Sequence, residues 1–215
     1  MRTIVVRQGE YLTKLAHRLG FDAAGVWNHP DNAALRERRP NPDQLQPGDV
    51  LRVPDAPADA GMRVARGGTL RASARAPEVE LALALKGRDG APIASVAFRV
   101  EGVGPSPIER TTDGDGVARF SVPVTVETCR VVLASGRAYV VRVGHMDPAT
   151  EPSGVLKRLA HLGHARSLSA EDLETDLGYA TFTSALRQFQ RESGLEATGA
   201  IDEATVAALV ERHGC

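Results

Sequence analysis

The sequence has little of what several classes of protein require. Only two of its 215 residues are cysteines, so it lacks the disulfide framework on which small secreted scaffolds depend. Aromatic residues make up 4% of the chain and the formal net charge is -1, which argues against a base-stacking platform and against a broad basic surface for nucleic acid or anionic membranes. No apolar run approaches the roughly 18 residues of a membrane-spanning helix. The composition favours a globular protein with neither nucleic acid nor membrane as a partner.

The N-terminus also lacks the features of a secretory signal. Residues 1–10 run directly into a β-branched stretch, without a basic region, a long apolar stretch and a small-residue cleavage site. The sequence as written therefore predicts synthesis in the cytoplasm without export by a signal peptide.

The usual catalytic motifs are absent. The chain has no Gly-x-Ser-x-Gly, Walker or His-Glu-x-x-His pattern. The ending His213-Gly214-Cys215 is similar to the Cys-containing motif of L,D-transpeptidases, but a thiolate nucleophile needs a base and an oxyanion site around it, and no catalytic β-domain is attached. Cys129 lies in an alternating apolar run that is typical of a core. We therefore expect no enzymatic activity and no cofactor.

Three other patterns that could bind ions have ordinary structural interpretations. Asp113-Gly-Asp-Gly116 begins like an EF-hand loop, but the twelfth position of that loop is a valine, which favours a hairpin turn. His161 and His164 have the spacing of metal ligands on a helix but no third ligand nearby, so they indicate a solvated helix end. The run Arg36–Arg39 alternates in charge and is typical of an exposed helix face.

Residues 1–56 predict a small β-α-α-β domain. Ile4–Val6 form a β-branched run, and apolar residues at helical spacing over Leu12–Leu19 predict a helix that a glycine stops. A second helix is predicted from about Asp31 until two prolines end it near Pro40. Val50–Val53, after a Pro-Gly-Asp turn, is the predicted closing strand.

The middle of the chain changes to a period of two. Residues 57–62 are predicted to be a linker, and residues 63–146 an antiparallel β-sandwich similar to Ig-like or carboxypeptidase-regulatory-like domains. The predicted strands are Leu70–Arg75, Val79–Leu85, Ile93–Val100, Val117–Val122, Cys129–Leu133 and Tyr139–Val143.

The last part of the chain is helical again. Residues 147–152 are the second predicted linker, and residues 153–215 carry apolar stripes at helical spacing that predict a three-helix domain. Ser169 followed by Asp172 resembles a capping box, and Asp202 can cap the last helix. The whole chain is thus predicted to be a multidomain α+β protein.

The first domain resembles a LysM domain. The resemblance is carried by Val5–Leu12, by the helix that ends at Leu19-Gly20, and by Leu45–Pro54. LysM domains bind N-acetylglucosamine glycans such as peptidoglycan or chitin, in a groove between the loop after the first strand and the loop before the second. The resemblance therefore implies a glycan-binding site made by Gly9, Glu10, Tyr11, Leu12, Gln44, Leu45, Gln46, Pro47 and Gly48.

The contacts expected at this site are typical of sugar binding. Backbone amides and carbonyls of the two loops would pair with acetamido groups, while Tyr11 or Leu45 would offer an apolar face to a ring. Two departures from the family's pattern bear on binding. Glu10-Tyr11 stands where Asp-Thr or Asp-Ser is usual, and the helical stretch between Asn28 and Pro40 is longer than is typical.

The last domain resembles the helical peptidoglycan-binding-domain family. The matching residues, in the family's order, are Leu156-Lys-Arg-Leu159, Leu162-Gly163, Phe182–Gln190, Gly194-Leu195, Thr198-Gly199, Ile201-Asp202, Thr205 and Leu209. The family's Asp-Gly-x-Phe-Gly loop is absent, and Asp176-Leu-Gly-Tyr179 takes roughly its place. The resemblance implies candidate binding residues in this domain, namely Asp176, Gly178, Tyr179, Arg187 and Gln190.

The order of the three domains resembles proteins associated with contractile injection machines, notably type VI secretion spikes and their cargo. The stretch Trp27-Asn-His-Pro-Asp-Asn-Ala33 in the first domain contributes to this resemblance. It implies that a firing machine carries a cytoplasmic protein to the periplasm or outside. We expect Trp27 to pack on the core of the first domain, with an exposed contact for a protein partner as the alternative.

Two hypotheses about function follow. The first is a non-enzymatic cell-wall protein whose two glycan-binding domains gain avidity on one polymer, with peptidoglycan or another N-acetylglucosamine glycan as the partner. The second is a structural adaptor of an injection spike or effector, in which the same folds contact proteins. The departures at Glu10-Tyr11 and in the helical domain favour the adaptor.

Overall fold

A computed structural model describes residues 1–55, 75–87, 90–165 and 167–213 of the chain. Helices and antiparallel strands are both present, which confirms the mixed α+β class. The chain divides into two compact units, one of Met1–Leu81, Arg99–Ile108 and Phe120–His145, the other of Ala82–Phe98, Glu109–Arg119 and Met146–Cys215. The three-domain boundaries stay a prediction, and the linker at 57–62 lies outside the described residues.

The N-terminal elements follow the predicted order, with one helix more than expected. Strands β1 (Arg2–Val5) and β2 (Val50–Val53) form an antiparallel pair, in which Ile4 lies opposite Leu51. The helices are α1 (Leu12–Leu19), α2 (Ala23–Asn28) and α3 (Ala33–Arg38), with a 3-10 turn at Pro30–Asn32 between the last two.

Two local signals explain these helix ends. Helix α1 ends because Gly20 adopts a left-handed conformation (φ 71°) and its N–H bonds back to the carbonyl of Ala16. Helix α2 begins because the side chain of Asp22 accepts a hydrogen bond from the N–H of Gly25 at 2.7 Å. The sequence prediction placed the second helix near Asp31 and missed α2, which holds Trp27.

The helices and the small sheet of this segment enclose one apolar core. Its most buried members include Leu15, Leu51 and Val53, each 0% exposed. Trp27 is partly buried and packs against the same core. The expectation that the tryptophan serves the core is therefore confirmed, and its alternative role in a protein contact stays a prediction.

The strands of the middle segment fall into two sheets. A two-stranded sheet pairs β3 (Glu78–Ala84) with β6 (Val117–Pro123), and a four-stranded sheet has the order β5-β4-β7-β8. The members of the larger sheet are β4 (Ala97–Glu101), β5 (Ile108–Thr111), β7 (Thr128–Leu133) and β8 (Ala138–Arg142). Strand β5 was not predicted, and residues 70–74 of the first predicted strand lie outside the described residues.

The predicted strand Ile93–Val100 is correct only in its second half. Thr112, 3% exposed, donates its hydroxyl to the carbonyl of Ile93 at 2.7 Å and accepts the N–H of Val96 at 2.9 Å. This side chain replaces strand pairing at residues 93–96 with a turn, in which Ser95 has φ 54°. Strand β4 therefore begins only at Ala97.

The described residues of the last segment contain three α-helices. They are α4 (Pro152–Leu162), α5 (Asp176–Glu192) and α6 (Glu203–His213), around a core that includes Leu159, Leu186, Phe189 and Leu209, each 0% exposed. Asp202 caps α6 as expected, since its carboxylate accepts the N–H of Thr205 at 2.8 Å. No described helix is long and apolar enough to cross a membrane.

Candidate functional site

Hydrogen bonds join the segments that flank the two loops predicted to form the LysM-like groove. Leu12 donates its N–H to the carbonyl of Pro42 at 3.2 Å, and Thr13 donates both its N–H and its hydroxyl to Asp43 Oδ1, at 3.0 and 2.9 Å. Gly48 donates its N–H to the carbonyl of Val6 at 2.9 Å. These bonds hold the chain close together at the borders of the predicted loops 9–12 and 44–48, and the glycan groove between the loops stays a prediction.

A buried ion pair fixes the second loop. Arg39 Nε lies 2.8 Å from Asp49 Oδ2, and the two side chains are 6% and 4% exposed. The same carboxylate accepts the N–H of Gln46 at 2.9 Å, while Arg39 Nη2 donates to Gln46 Oε1 at 2.6 Å. Charge-assisted bonds in such surroundings are strong and rigid, so the loop keeps one shape.

The interpretation of Arg36–Arg39 as a solvated face is wrong for two of its members. Arg39 is buried against Asp49, and Arg36 Nη1 donates to the backbone carbonyls of Trp27 and of His29, the latter at 3.0 Å. Arginines near helix ends can satisfy carbonyls that the helix leaves unpaired. The two cations therefore hold the α2–α3 region and the second loop in place.

The side chains predicted to face the sugar are mostly buried. Tyr11 is 3% and Leu45 is 4% exposed, so neither offers an apolar face to solvent in this structure. Glu10, 7% exposed, is held by Arg18 at 2.6 Å and accepts the N–H of Arg7 at 2.9 Å. Their role in glycan contact stays a prediction, and the accessible part of the second loop is Pro47-Gly48.

In the helical segment, an exposed stripe runs along α5. Tyr179, Thr183 and Arg187 follow each other at intervals of four and therefore share one face of the helix. Tyr179 is 54% exposed, and Arg187 Nε donates to the carbonyl of Thr198 at 3.3 Å. We refer to Tyr179, Thr183 and Arg187 as the α5 stripe.

The loop at Thr198-Gly199 borders the α5 stripe. A β carbon on Gly199 would lie 2.7 Å from Thr183 Cγ2 and 2.8 Å from Arg187 Nε, so the loop backbone rests directly on these side chains. The stripe and loop together offer an aromatic face, hydroxyls, a cation and backbone groups. Neither Thr183 nor Thr198 was predicted as a site residue, although the interval of four from Tyr179 could have pointed to Thr183.

Gln190 is buried and holds the neighbouring loop in position, and its predicted glycan contact stays a prediction. It is 0% exposed, and its Nε2 donates to Thr198 Oγ1, Ala200 O and Thr205 Oγ1 at 3.1, 3.1 and 2.9 Å. Its Oε1 accepts the N–H of Gly199 at 2.8 Å. The amide thus ties α5, the loop and the start of α6 together.

Two other predicted residues shape the start of α5. Asp176 is the exposed first residue of the helix, whose cap is the Thr175 hydroxyl accepting the N–H of Gly178 at 3.1 Å. Gly178 is buried, and a β carbon there would lie 2.0 Å from the carbonyl oxygen of Asp172. Gly178 is therefore required for packing and has no side chain to present.

The remaining motifs have structural roles, and one differs from the prediction. The carboxylate of Asp113 accepts the N–H groups of Asp115 and Val117 at 3.0 and 2.8 Å, which confirms a turn, though the flanking strands belong to different sheets. The side chain of His164 is 8% exposed, lies 3.6 Å from Glu192 and meets the Phe189 ring edge-on, so it is not solvated.

His161 is exposed as predicted, but it has a partner. Its Nδ1 lies 2.9 Å from Nε2 of His213. Desolvation and the neighbouring cations Arg158 and Lys157 lower the pKa of His161, which favours the neutral ring that such a bond requires. The described residues contain no group of three or more His, Cys, Asp or Glu side chains that could hold a metal ion.

Comparison with known proteins identifies the last segment. Residues 155–209 match the family model described as "Putative peptidoglycan binding domain". The last segment is similar to this family over about a quarter of the chain. The match takes in most of α4, all of α5 and α6 as far as Leu209, and so includes the α5 stripe and Gln190. No curated protein and no solved structure matches the chain.

Proposed function

We propose that this chain is a non-enzymatic peptidoglycan-binding protein whose α5 stripe makes the contact with the cell wall. The observation that carries the proposal is the match of residues 155–209 to the peptidoglycan-binding family. Many of the other residues that match the family pattern belong to the core or cap helices, whereas the α5 stripe is accessible and has chemistry suited to a glycan.

The chemistry of the stripe suits a sugar polymer that carries peptides. An exposed tyrosine ring can pack on the apolar face of a pyranose while its hydroxyl remains in water. Arg187 can pair with a carboxylate of a muramyl or peptide group through its planar guanidinium. The threonine hydroxyls and the loop backbone at Thr198-Gly199 add donors and acceptors at the border.

The LysM-like loops would supply a second site for N-acetylglucosamine. The hydrogen bonds between Thr13 and Asp43 and between Gly48 and Val6 support this, because they hold the segments that border the two loops close together. The proposal includes delivery by an injection machine, which the order of the three predicted domains implies by resemblance. The alternative is the structural adaptor, which the burial of Tyr11 and Leu45 favours, since those side chains present no sugar platform.

Co-sedimentation of the full-length chain with insoluble peptidoglycan tests the proposal. We expect Tyr179→Ala and Arg187→Ala each to weaken binding by roughly tenfold, the loss of one stacking or charged contact. Gln188→Ala is the matched control. Gln188 is exposed on the same helix, and its side-chain amide donates a hydrogen bond to Glu192 at 2.9 Å. The wall should release no soluble muropeptides.

Two outcomes would contradict the proposal. If the wild-type chain stays in the supernatant at all protein concentrations, the proposal of wall binding is wrong and the adaptor is favoured. Capture of a spike or effector protein from native extract would then support the adaptor. If the wild type sediments and both stripe variants sediment equally well, the wall contact lies elsewhere on the chain.

A further inference from the structure

The first loop of the LysM-like groove is in contact with another part of its own chain. Residues Gly144 and His145 follow β8, and their position is set by the N–H of Val143, which bonds to the carbonyl of Glu127 at 2.9 Å. A β carbon on Gly144 would lie 2.8 Å from Tyr11 Cδ1 and 2.9 Å from the carbonyl oxygen of Gly9. The backbone of Gly144 therefore lies directly on this loop.

The neighbouring histidine covers the rest of the loop's turn. A β carbon on Gly9 would lie 3.1 Å from Nε2 of His145, so the imidazole sits over the glycine backbone. Gly9 and Tyr11, the two residues in contact with this segment, are both buried. We call Gly144 and His145 the cover.

A lysine joins the loop to the same region of the chain. Lys14 Nζ donates to the carbonyl of Gly9 at 3.2 Å and to Glu127 Oε1 at 3.3 Å. The carboxylate of Glu127 is 77% exposed, so this ion pair is solvent-screened and weak. It can hold the cover in register without locking it.

The closed arrangement also carries an energetic penalty. The hydroxyl of Tyr11 is buried, and it has no hydrogen-bond partner among the residues that the structure describes. A buried polar group without a partner loses its hydration and gains nothing in return. Lifting the cover would return this hydroxyl to water or to a bound ligand, which lowers the free energy needed for opening.

The geometry points to a cover that closes the LysM-like groove and must lift before an N-acetylglucosamine oligosaccharide can reach residues 9–12. The inference rests on the proposed second site. It makes the cover an autoinhibitory contact within the chain, so the affinity measured for a short glycan is the intrinsic affinity reduced by the fraction of molecules that are open.

Gly144 provides the means of opening the cover. Any side chain at this position collides with Tyr11 and with Gly9, and its φ of 76° also disfavours other residues. Gly136 is the matched control, because it has a similar φ of 83° in the turn before β8, but a β carbon there meets nothing within 4 Å. Gly144→Val and Gly136→Val thus share backbone strain and differ in the collision.

The experiment uses the full-length chain with N-acetylglucosamine tetramer as the probe. Calorimetry gives the affinity, and amide hydrogen exchange of residues 9–14 reports the cover. We expect Gly144→Val to raise both exchange and affinity, the latter by about threefold or more, while Gly136→Val changes neither. Glu127→Gln removes only the exposed ion pair and should raise exchange and affinity to a smaller extent. It replaces Gly144→Val as the test variant if Gly144→Val does not fold.

The possible failures are distinguishable. Unchanged exchange in a folded Gly144→Val or in Glu127→Gln overturns the cover. Raised exchange with unchanged affinity, where the wild type binds the tetramer, overturns the gating but leaves the second site intact. Raised exchange with no tetramer binding by any variant overturns both the gating and the proposed glycan site at these loops.

Discussion

Among single residues, Tyr11 has the most unfavourable surroundings. Its hydroxyl is buried with no described partner, and burial together with the charge of Asp43 raises the pKa of Tyr11 to about 12. We expect Tyr11→Phe to increase the free energy of unfolding at pH 7 by about 1 kcal/mol, because it removes a desolvated hydroxyl and keeps the ring. Urea unfolding measures this, with Tyr179→Phe as the control at an exposed ring.

The same substitution has a pH dependence of known sign. The folded chain holds the Tyr11 proton to about pH 12 and the unfolded chain releases it near 10.0, so the wild type loses stability as pH rises from 10 towards 12. Phenylalanine cannot ionise, so the advantage of Tyr11→Phe over the wild type should grow across this window. An advantage that shrinks there, or a destabilised variant at pH 7, would contradict the assignment of an unpaired hydroxyl.

The residues whose roles the sequence did not reveal are charged or polar side chains that pair at a distance. Arg39 is in an alternating charge run that usually faces water, yet its partner Asp49 is ten positions away across three prolines. The position of Gln190 in the family pattern suggested a site residue. Its side-chain amide instead forms hydrogen bonds with Thr198 and Gly199 in the loop and with Thr205 on α6. Burial of this kind depends on tertiary contacts, which local patterns do not contain.

At the scale of helices and strands, periodicity predicted the elements that bury an apolar stripe. Strands β2, β6, β7 and β8 lie within one residue of the predicted ones, and helices α1, α4, α5 and α6 contain the predicted apolar repeats, although α5 begins six residues before its repeat. Strand β5 was missed because its four residues, Ile-Glu-Arg-Thr, contain one apolar side chain and show no alternation. Helix α2 was missed because its six residues include a glycine and are too few to show a helical repeat of apolar side chains. The hydrogen bond from the N–H of Gly25 to the Asp22 side chain is what starts this helix.

The packing of α5 against α6 provides a prediction at this scale. Gln190 donates to the loop and to Thr205 on α6, and it accepts the N–H of Gly199. We expect Gln190→Leu to lower the free energy of unfolding by about 2 to 4 kcal/mol, because similar volume is kept while several buried polar groups lose their partner. Urea unfolding measures the loss, and amide exchange at residues 198–200 should rise with it.

Gln188→Leu is the control for this change. Gln188 is exposed two residues earlier on the same helix and bonds to Glu192 at 2.9 Å. A similar loss of stability in both variants would show that leucine disturbs α5 itself. A neutral Gln190→Leu would show that the loop and α6 do not depend on the buried amide.

At the scale of the whole molecule, two glycan sites on one chain should act differently on a polymer and on a fragment. A second contact with the same polymer is intramolecular and can raise the apparent affinity by about 10²-fold or more, whereas a tetramer that fills one site gains nothing. Opening the cover with Gly144→Val frees the LysM-like groove, and Arg187→Ala removes the contact of the α5 stripe. The two changes therefore separate the contributions of the sites.

We accordingly expect Gly144→Val to bind insoluble peptidoglycan about 10²-fold or more tightly than it binds the N-acetylglucosamine tetramer, because the affinities of linked sites multiply. On peptidoglycan, the double variant Gly144→Val/Arg187→Ala should lose roughly the tenfold that Arg187→Ala costs in the wild type. It should bind the tetramer as the single variant does, because the α5 stripe plays no part in filling the LysM-like groove. Co-sedimentation measures binding to peptidoglycan, and calorimetry measures binding to the tetramer. If Gly144→Val binds peptidoglycan no more tightly than the tetramer, the sites do not reach one polymer together, since avidity disappears when the geometry forbids simultaneous engagement.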